Sequence, residues 1–189
     1  MAINNNQVNI IITDLLKNLV DDFDREGLRE TPIRVAKSWA ALLEGYDRNF
    51  EDEAKTFENT HGYSDMILSG KINFTSICEH HLLPFWGEAY IAYIPQDRII
   101  GLSKLSRAVD IYSRRLQDQE RITQQVADEI NRYLQPKGVA VLLKAQHFCN
   151  IARGVEKPQS NMVTSVFTGE FRESDYKNRF YEMVKFADA

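Results

Sequence analysis

Residues 71–95 read KINFTSICEHHLLPFWGEAYIAYIP. Ile72 and Phe74 alternate with Lys71, Asn73 and Thr75, the period of two that a half-buried strand requires. Glu88 to Ile94 is rich in β-formers and stops at the Pro95-Gln96-Asp97 turn. Two strands therefore flank the cluster Cys78-Glu79-His80-His81. Further along, Leu102, Leu105, Val109 and Tyr112, then Ile122, Val126, Ile130 and Leu134, recur at helical spacing, and Pro136-Lys137-Gly138 ends the second helix. Val139 to Leu143 and Met162 to Phe171 are apolar runs of strand length, and Tyr176 to Phe186 has the pattern of a closing helix. The order β-β-α-α-β-β predicts an α+β fold with helices on one face of an antiparallel sheet. A sheet this small has open edges available for pairing between subunits.

Upstream, MAINNNQVNIIITDLLKNLVDD reads as an amphipathic helix, its apolar residues interrupted by Thr13, Asp14, Lys17 and Asn18. Thr31-Pro32 predicts an N-cap with proline at the first helical position, opening a helix from about Pro32 to Glu44 that Gly45 ends. No internal repeat, low-complexity tract or long linker divides the chain. The expectation is one domain over residues 1–189, with a helical extension over 1–50 and a catalytic core over 70–189.

The 189 residues are 43% hydrophobic, enough for a packed core without staples. With 23 Lys+Arg against 27 Asp+Glu the net charge is -4, which gives no general attraction to nucleic acid or to an anionic membrane. Neither is expected as a partner, and an anionic substrate must be met by a local basic cluster. The N-terminal stretch has neither the basic region nor the small-residue cleavage site of an export signal, so a cytoplasmic location with reduced thiols is expected.

Both cysteines and three of the four histidines fall in Cys78-Glu79-His80-His81 and His147-Phe148-Cys149. Cys78, His81 and Cys149 form a Cys2His set that suits catalytic zinc, whose fourth position stays open for water. His80 or His147 as a fourth ligand would instead close the site into a structural one, and spacing alone leaves both open. Taken singly, a buried cysteine is commonly a small hydrophobe and a lone histidine a hydrogen-bonded structural residue. Two such clusters in one short chain argue against coincidence. In an extended segment His80 and His81 point opposite ways, so one can ligate while the other faces a substrate.

The string CEHHLLPFWGEAYIAYIP, with GLSKLSR from Gly101, QERITQQ from Gln119 and HFCNIARG from His147, closely resembles the GTP cyclohydrolase I family. Arg25-Glu26-Gly27-Leu28 and Thr31-Pro32-Ile33-Arg34-Val35-Ala36 extend the resemblance, which runs to Phe171. It implies the tunnelling fold, built on the β-β-α-α-β-β unit, and a homodecamer of two face-to-face pentamers with active sites at subunit junctions. It also implies zinc, GTP as substrate, and formate and 7,8-dihydroneopterin triphosphate as products, the first step of tetrahydrofolate and pterin biosynthesis. Position by position it makes Cys78, His81 and Cys149 the zinc ligands and leaves His80 and His147 for proton transfer. Gln119 and Glu120 then lie at the guanine, and Ser103, Lys104, Arg107, Arg153 and Arg34 around the triphosphate and ribose.

These residue types suit that chemistry. An ionised Glu120 can accept from guanine N1–H and the 2-amino group together, where adenine offers neither donor. Without the resemblance, Glu120 beside Asp118 reads as an ordinary helix-start glutamate. Lys104 and Arg107, three apart, share a helix face, although each alone is more often a solvated cation. Two other readings compete. One is a different tunnelling-fold enzyme of pterin or deazapurine metabolism, with a three-histidine zinc site or a cysteine nucleophile, and the Cys-His-Cys set with GLSK and QER argues against both. The other is a non-catalytic, zinc-stabilised nucleotide-binding scaffold, which has no use for two spare histidines.

Overall fold

The computed structural model describes residues 3–188. The chain opens with α1 (Asn5–Leu19) and α2 (Thr31–Leu42), which pack together, then a 3-10 turn at Glu44–Asp47 and the single turn α3 (Phe50–Glu53). Next come β1 (Thr56–Glu58), the long strands β2 (Ile67–Cys78) and β3 (Pro84–Ile94), β4 (Arg98–Ile100) and α4 (Leu102–Ser113). The two-residue β5 (Leu116–Gln117) precedes α5 (Gln119–Leu134), β6 (Gly138–His147) and the single turn α6 (Phe148–Ile151). β7 (Met162–Phe167), a 3-10 turn at Gly169–Arg172 and α7 (Ser174–Asp188) complete the described chain.

Five strands form one sheet in the order β5-β2-β3-β6-β7, antiparallel except for the short parallel pairing of β5 with β2. The fold is α+β, and β2-β3-α4-α5-β6-β7 is the β-β-α-α-β-β order of the tunnelling fold. Alternation along β3 sorts its side chains. Phe85, Ala89, Ile91 and Tyr93 pack with Leu105, Val109, Ile122, Val126 and Ile130 of the two long helices on one face. Tyr90, Ala92 and Ile94 face the other way, where α7 covers them with Phe180, helped by Phe171. With both faces covered, Val139 to Leu143 of β6 are all buried, which is why that strand reads as an unbroken apolar run.

Helix α5 shows how local chemistry sets the boundaries. The Asp118 side chain accepts from the Arg121 N–H at 2.7 Å to cap the start. Ile122, Val126, Ile130 and Leu134 are buried at i, i+4 spacing, and Gln135, left-handed at φ 49, ends the helix before Pro136. Helix α2 begins one residue earlier than the Thr31 cap predicts. Glu30 holds the cap position without a side-chain bond, and the Thr31 hydroxyl donates to the Gly27 carbonyl at 3.2 Å. Strand β3 starts at Pro84 rather than Glu88, and β1 pairs with β4 as a separate two-stranded ribbon. Among the described residues no helix is long and apolar enough to cross a membrane.

Candidate metal centre

β2 ends at Cys78 and β3 begins at Pro84, so Glu79, His80 and His81 occupy the hairpin connection. The connection is closed by its own backbone: Cys78 N–H donates to the Leu83 carbonyl at 2.9 Å, and Leu82 N–H to the Cys78 carbonyl at 2.8 Å. Leu82 closes the turn at φ 55, a left-handed conformation that disfavours any residue with a Cβ. Glu79 then anchors the hairpin to α5. Its N–H donates to the Gln117 carbonyl at 3.0 Å, and its carboxylate accepts from Arg121 twice, at 2.6 and 2.9 Å. Such a bidentate, charge-assisted pair is directional as well as attractive. The Arg121 guanidinium holds the Glu79 carboxyl below its ordinary range.

At the head of this hairpin, buried Cys78, exposed His81 and half-buried Cys149 bring two sulfurs and a ring nitrogen within 4.8 Å of one another. Cys149 does not end a strand, as its position after an apolar run suggests; it lies in α6, two residues past the end of β6. Both cysteines are free thiols. Burial, and then the neighbouring Cys78 sulfur, push the Cys149 thiol up. Two crowded sulfurs resist ionising together unless a cation lies between them. Two thiols and an imidazole are donors for a borderline-soft divalent metal, so the set fits one. Cys78 Sγ lies 3.8 Å from Nδ1 of both His80 and His81, yet among the described residues only His81 joins Cys78 and Cys149 in the three-residue group.

His147, the last residue of β6, pairs in register with Phe85 of β3, and the two rings stack with centroids 4.5 Å apart and planes within 5°. Burial lowers the pKa of the half-buried His147 ring, and the negative charge of Glu120 pulls the other way. Ring Nε2 lies 2.9 Å from Gln119 Oε1. The Gln119 side chain, expected at the guanine, is fully enclosed by protein. Its Nε2 donates to the carbonyls of Leu143 and Met162 and to Thr164 Oγ1. Glu120, one residue on, is exposed.

The expected basic residues divide. Arg153 follows α6 and its charge acts on Cys149. Ser103, Lys104 and Arg107 lie on the first two turns of α4, where Arg107 is 2.8 Å from Glu53, whose other oxygen takes Arg48 at 2.7 Å. Arg34 sits exposed on α2, paired with Glu30 at 2.9 Å. None of the hydrogen bonds or ion pairs found among the described residues ties Arg34, Ser103, Lys104 or Arg107 to the metal cluster. Sequence reasoning missed Glu79, Arg121, Phe85 and Thr164. Glu79 and Arg121 stand inside the motifs themselves, but a pairing across 42 residues has no local signature.

A family model described as GTP cyclohydrolase I matches residues 8–185. Proteins named GTP cyclohydrolase 1 from Brucella suis and Brucella abortus are each 48% identical over 167 residues, spanning 87% of this chain and 78% of theirs. The Brucella canis protein of that name matches over the same extent. Among solved structures, the apo form of an archaeosine synthase QueF-like protein aligns with 55% of this chain and 93% of its own, at 15% identity and a TM-score of 0.46.

Proposed function

The chain belongs to the GTP cyclohydrolase I family, and from that membership we propose that it opens the imidazole ring of GTP at C8. Formate leaves and 7,8-dihydroneopterin triphosphate forms, the entry step of pterin and tetrahydrofolate synthesis. The observation that carries this reading is the convergence of Cys78, His81 and Cys149 within 4.8 Å of one another. Cys78, His81 and Cys149 would hold zinc, which when bound supplies Lewis acidity and makes water more acidic beside the substrate.

The chain's own residues supply the rest. C8 of guanine is a weak electrophile, and protonation at N7 makes it a better one. His147 carries that proton, since burial makes its imidazolium a stronger acid than a solvated one. His80, on the exposed hairpin and outside the ligand group, serves the later proton transfers of ring opening and ribose rearrangement. Glu120 accepts from guanine N1–H and the 2-amino group, and Gln119, its neighbour in the chain, is hydrogen-bonded to His147. Ser103, Lys104, Arg107, Arg153 and Arg34 neutralise the triphosphate.

The pairing of Arg34 with Glu30 and of Arg107 with Glu53, away from the cluster, supports a site completed by a second subunit, as in a homodecamer with junctional active sites. Exposed Ile10, Ile11, Leu15 and Leu19 on α1 support self-association. A net charge of -4 favours neither nucleic acid nor an anionic membrane as partner, and two free thiols suit a reducing cytoplasm.

The test is to incubate zinc-loaded protein with GTP and follow formate together with dihydropterin absorbance. Turnover with the metal and none without it is expected, and Glu120→Ala loses turnover while retaining zinc. Normal formate release by His147→Ala would remove His147 from its role. Zinc-bound, assembled protein without turnover would point instead to a scaffold.

A further inference from the structure

We propose that Gln119 is a positioning residue that holds the His147 ring in its Nε2–H tautomer, leaving Nδ1 as the bare nitrogen of the neutral ring. The tautomer follows from hydrogen-bond geometry, and only its effect on turnover rests on the role proposed for His147; it replaces the direct guanine contact expected of the Gln119 side chain.

The partners of Gln119 settle which way its amide points. The carbonyl oxygens of Leu143 and Met162 only accept, and they lie 3.1 and 3.2 Å from Gln119 Nε2. A flipped amide would set oxygen against both of them. Thr164 Oγ1 is the third acceptor, at 3.0 Å, and its own hydrogen is directed elsewhere. The Thr123 hydroxyl donates to the Gln119 backbone carbonyl at 2.7 Å, so across the 2.7 Å Thr123–Thr164 contact Thr164 is the donor. Thr164 therefore offers Gln119 a lone pair.

With its nitrogen fixed on that side, Gln119 presents Oε1 to His147 Nε2 at 2.9 Å. An amide oxygen only accepts, so Nε2 carries the hydrogen whether the ring is neutral or charged. Phe85, stacked at 4.5 Å and 5°, sets the plane of the ring while Gln119 sets its edge. Gln119 is fully buried, and among the described residues no buried side-chain nitrogen or oxygen lacks a partner. Turning either the amide or the ring breaks bonds that no solvent replaces. A histidine held in the wrong tautomer keeps its place and loses its proton-transfer function.

The test uses full-length, zinc-loaded protein labelled with 15N in the histidine rings, at a pH where the His147 ring is neutral. The His147 signals are identified by their loss in His147→Asn. The expected spectrum has a protonated Nε2 and a bare Nδ1; a protonated Nδ1 with bare Nε2 overturns the proposal. In Gln119→Leu both tautomers appear and kcat for formate release falls by about 10- to 100-fold, with KM for GTP little changed. Gln119→Glu, in its protonated form, donates to the Leu143 or Met162 carbonyl and still offers an oxygen to Nε2, so at a pH low enough to keep it protonated it restores the single tautomer and part of kcat. If Gln119→Leu retains the Nε2–H tautomer, Gln119 merely fills space. Should Gln119→Leu fail to fold, the wild-type spectrum and Gln119→Glu still decide. The tautomer is read without turnover, so a failed assignment and a failed proton-transfer role for His147 are separate results.

Discussion

At the scale of single residues, the hairpin divides its labour between atoms that would face a metal and atoms that fix where those face. Cys78 and His81 supply donor atoms, and Glu79 between them turns away to grip Arg121 on α5. Removing the charge while keeping the shape isolates that support. Glu79→Gln is expected to weaken zinc binding by about 10-fold, within the range for groups that orient ligands, as measured by competition with a chromophoric chelator. The ligand types were legible in the sequence because cysteine and histidine are scarce and clustered here. The ligands could not be told from the bystanders, since His80 and His81 sit at equal distance from Cys78 and only Cys149, 68 residues beyond His81 in the numbering, distinguishes them. The enclosed role of Gln119 was illegible for a related reason: a polar residue at a helix start looks solvent-facing until β6 and β7 are laid over it.

At the scale of elements, β3 and β6 approach closely where they carry Phe85 and His147. A Cβ on Gly87 would fall 2.0 Å from the Lys144 carbonyl oxygen and 2.7 Å from the Ala145 Cα, backbone atoms that cannot step aside. Gly87→Ala is therefore expected to destabilise the fold by roughly 1–3 kcal/mol and to slow formate release through the displaced Phe85–His147 stack. Urea denaturation and a GTP assay report the two effects. A second tie joins α3 to α4. Arg48 first, and Arg107 with it, hold the Glu53 carboxyl at about 2, below its ordinary 4.5. Because the folded value is the lower one, the stabilisation is complete above 4.5 and is lost as pH falls toward about 2. Wild-type stability should fall more steeply than that of Glu53→Gln through this window, followed as urea midpoints against pH. Parallel curves would mean that the pair contributes nothing. Long elements were legible from period alone, including all five helices of ten or more residues among the described residues. The three-residue β1 and β4 and the two-residue β5 are too short to show any period, and Pro84 reads as a strand breaker although it opens β3.

At the scale of the whole molecule, the sheet order brings the two sequence clusters together: one lies at the β2–β3 connection, the other at the end of β6 and in α6, and β3 pairs with both β2 and β6. Of the basic residues proposed for the triphosphate, Arg153 follows α6 beside Cys149, whereas Arg34 is paired locally on α2 and Arg107 with Glu53. A junctional site makes a specific prediction. Arg34→Ala and Cys149→Ala homo-oligomers should each lack turnover, and mixing them under conditions that exchange subunits should recover part of it. No recovery, with mixed oligomers verified by mass spectrometry, would place both residues in a single chain's site. The catalytic fold was legible because its period-bearing elements are long, while the assembly rested on resemblance, since a partner surface carries no period of its own.

The Glu79–Arg121 grip also makes α5 a reporter. Because the hairpin that would hold the metal is fastened through Glu79 and Arg121 to the first turn of α5, zinc occupancy should be readable in the backbone amides of that turn. Stripping the metal is expected to hasten deuterium uptake around Arg121 and Ile122, while the far end of the same helix near Ile130, held by the core, exchanges as slowly as before. Uptake at Arg121 and Ile122 that does not depend on zinc would show that the hairpin keeps its place with or without the ion.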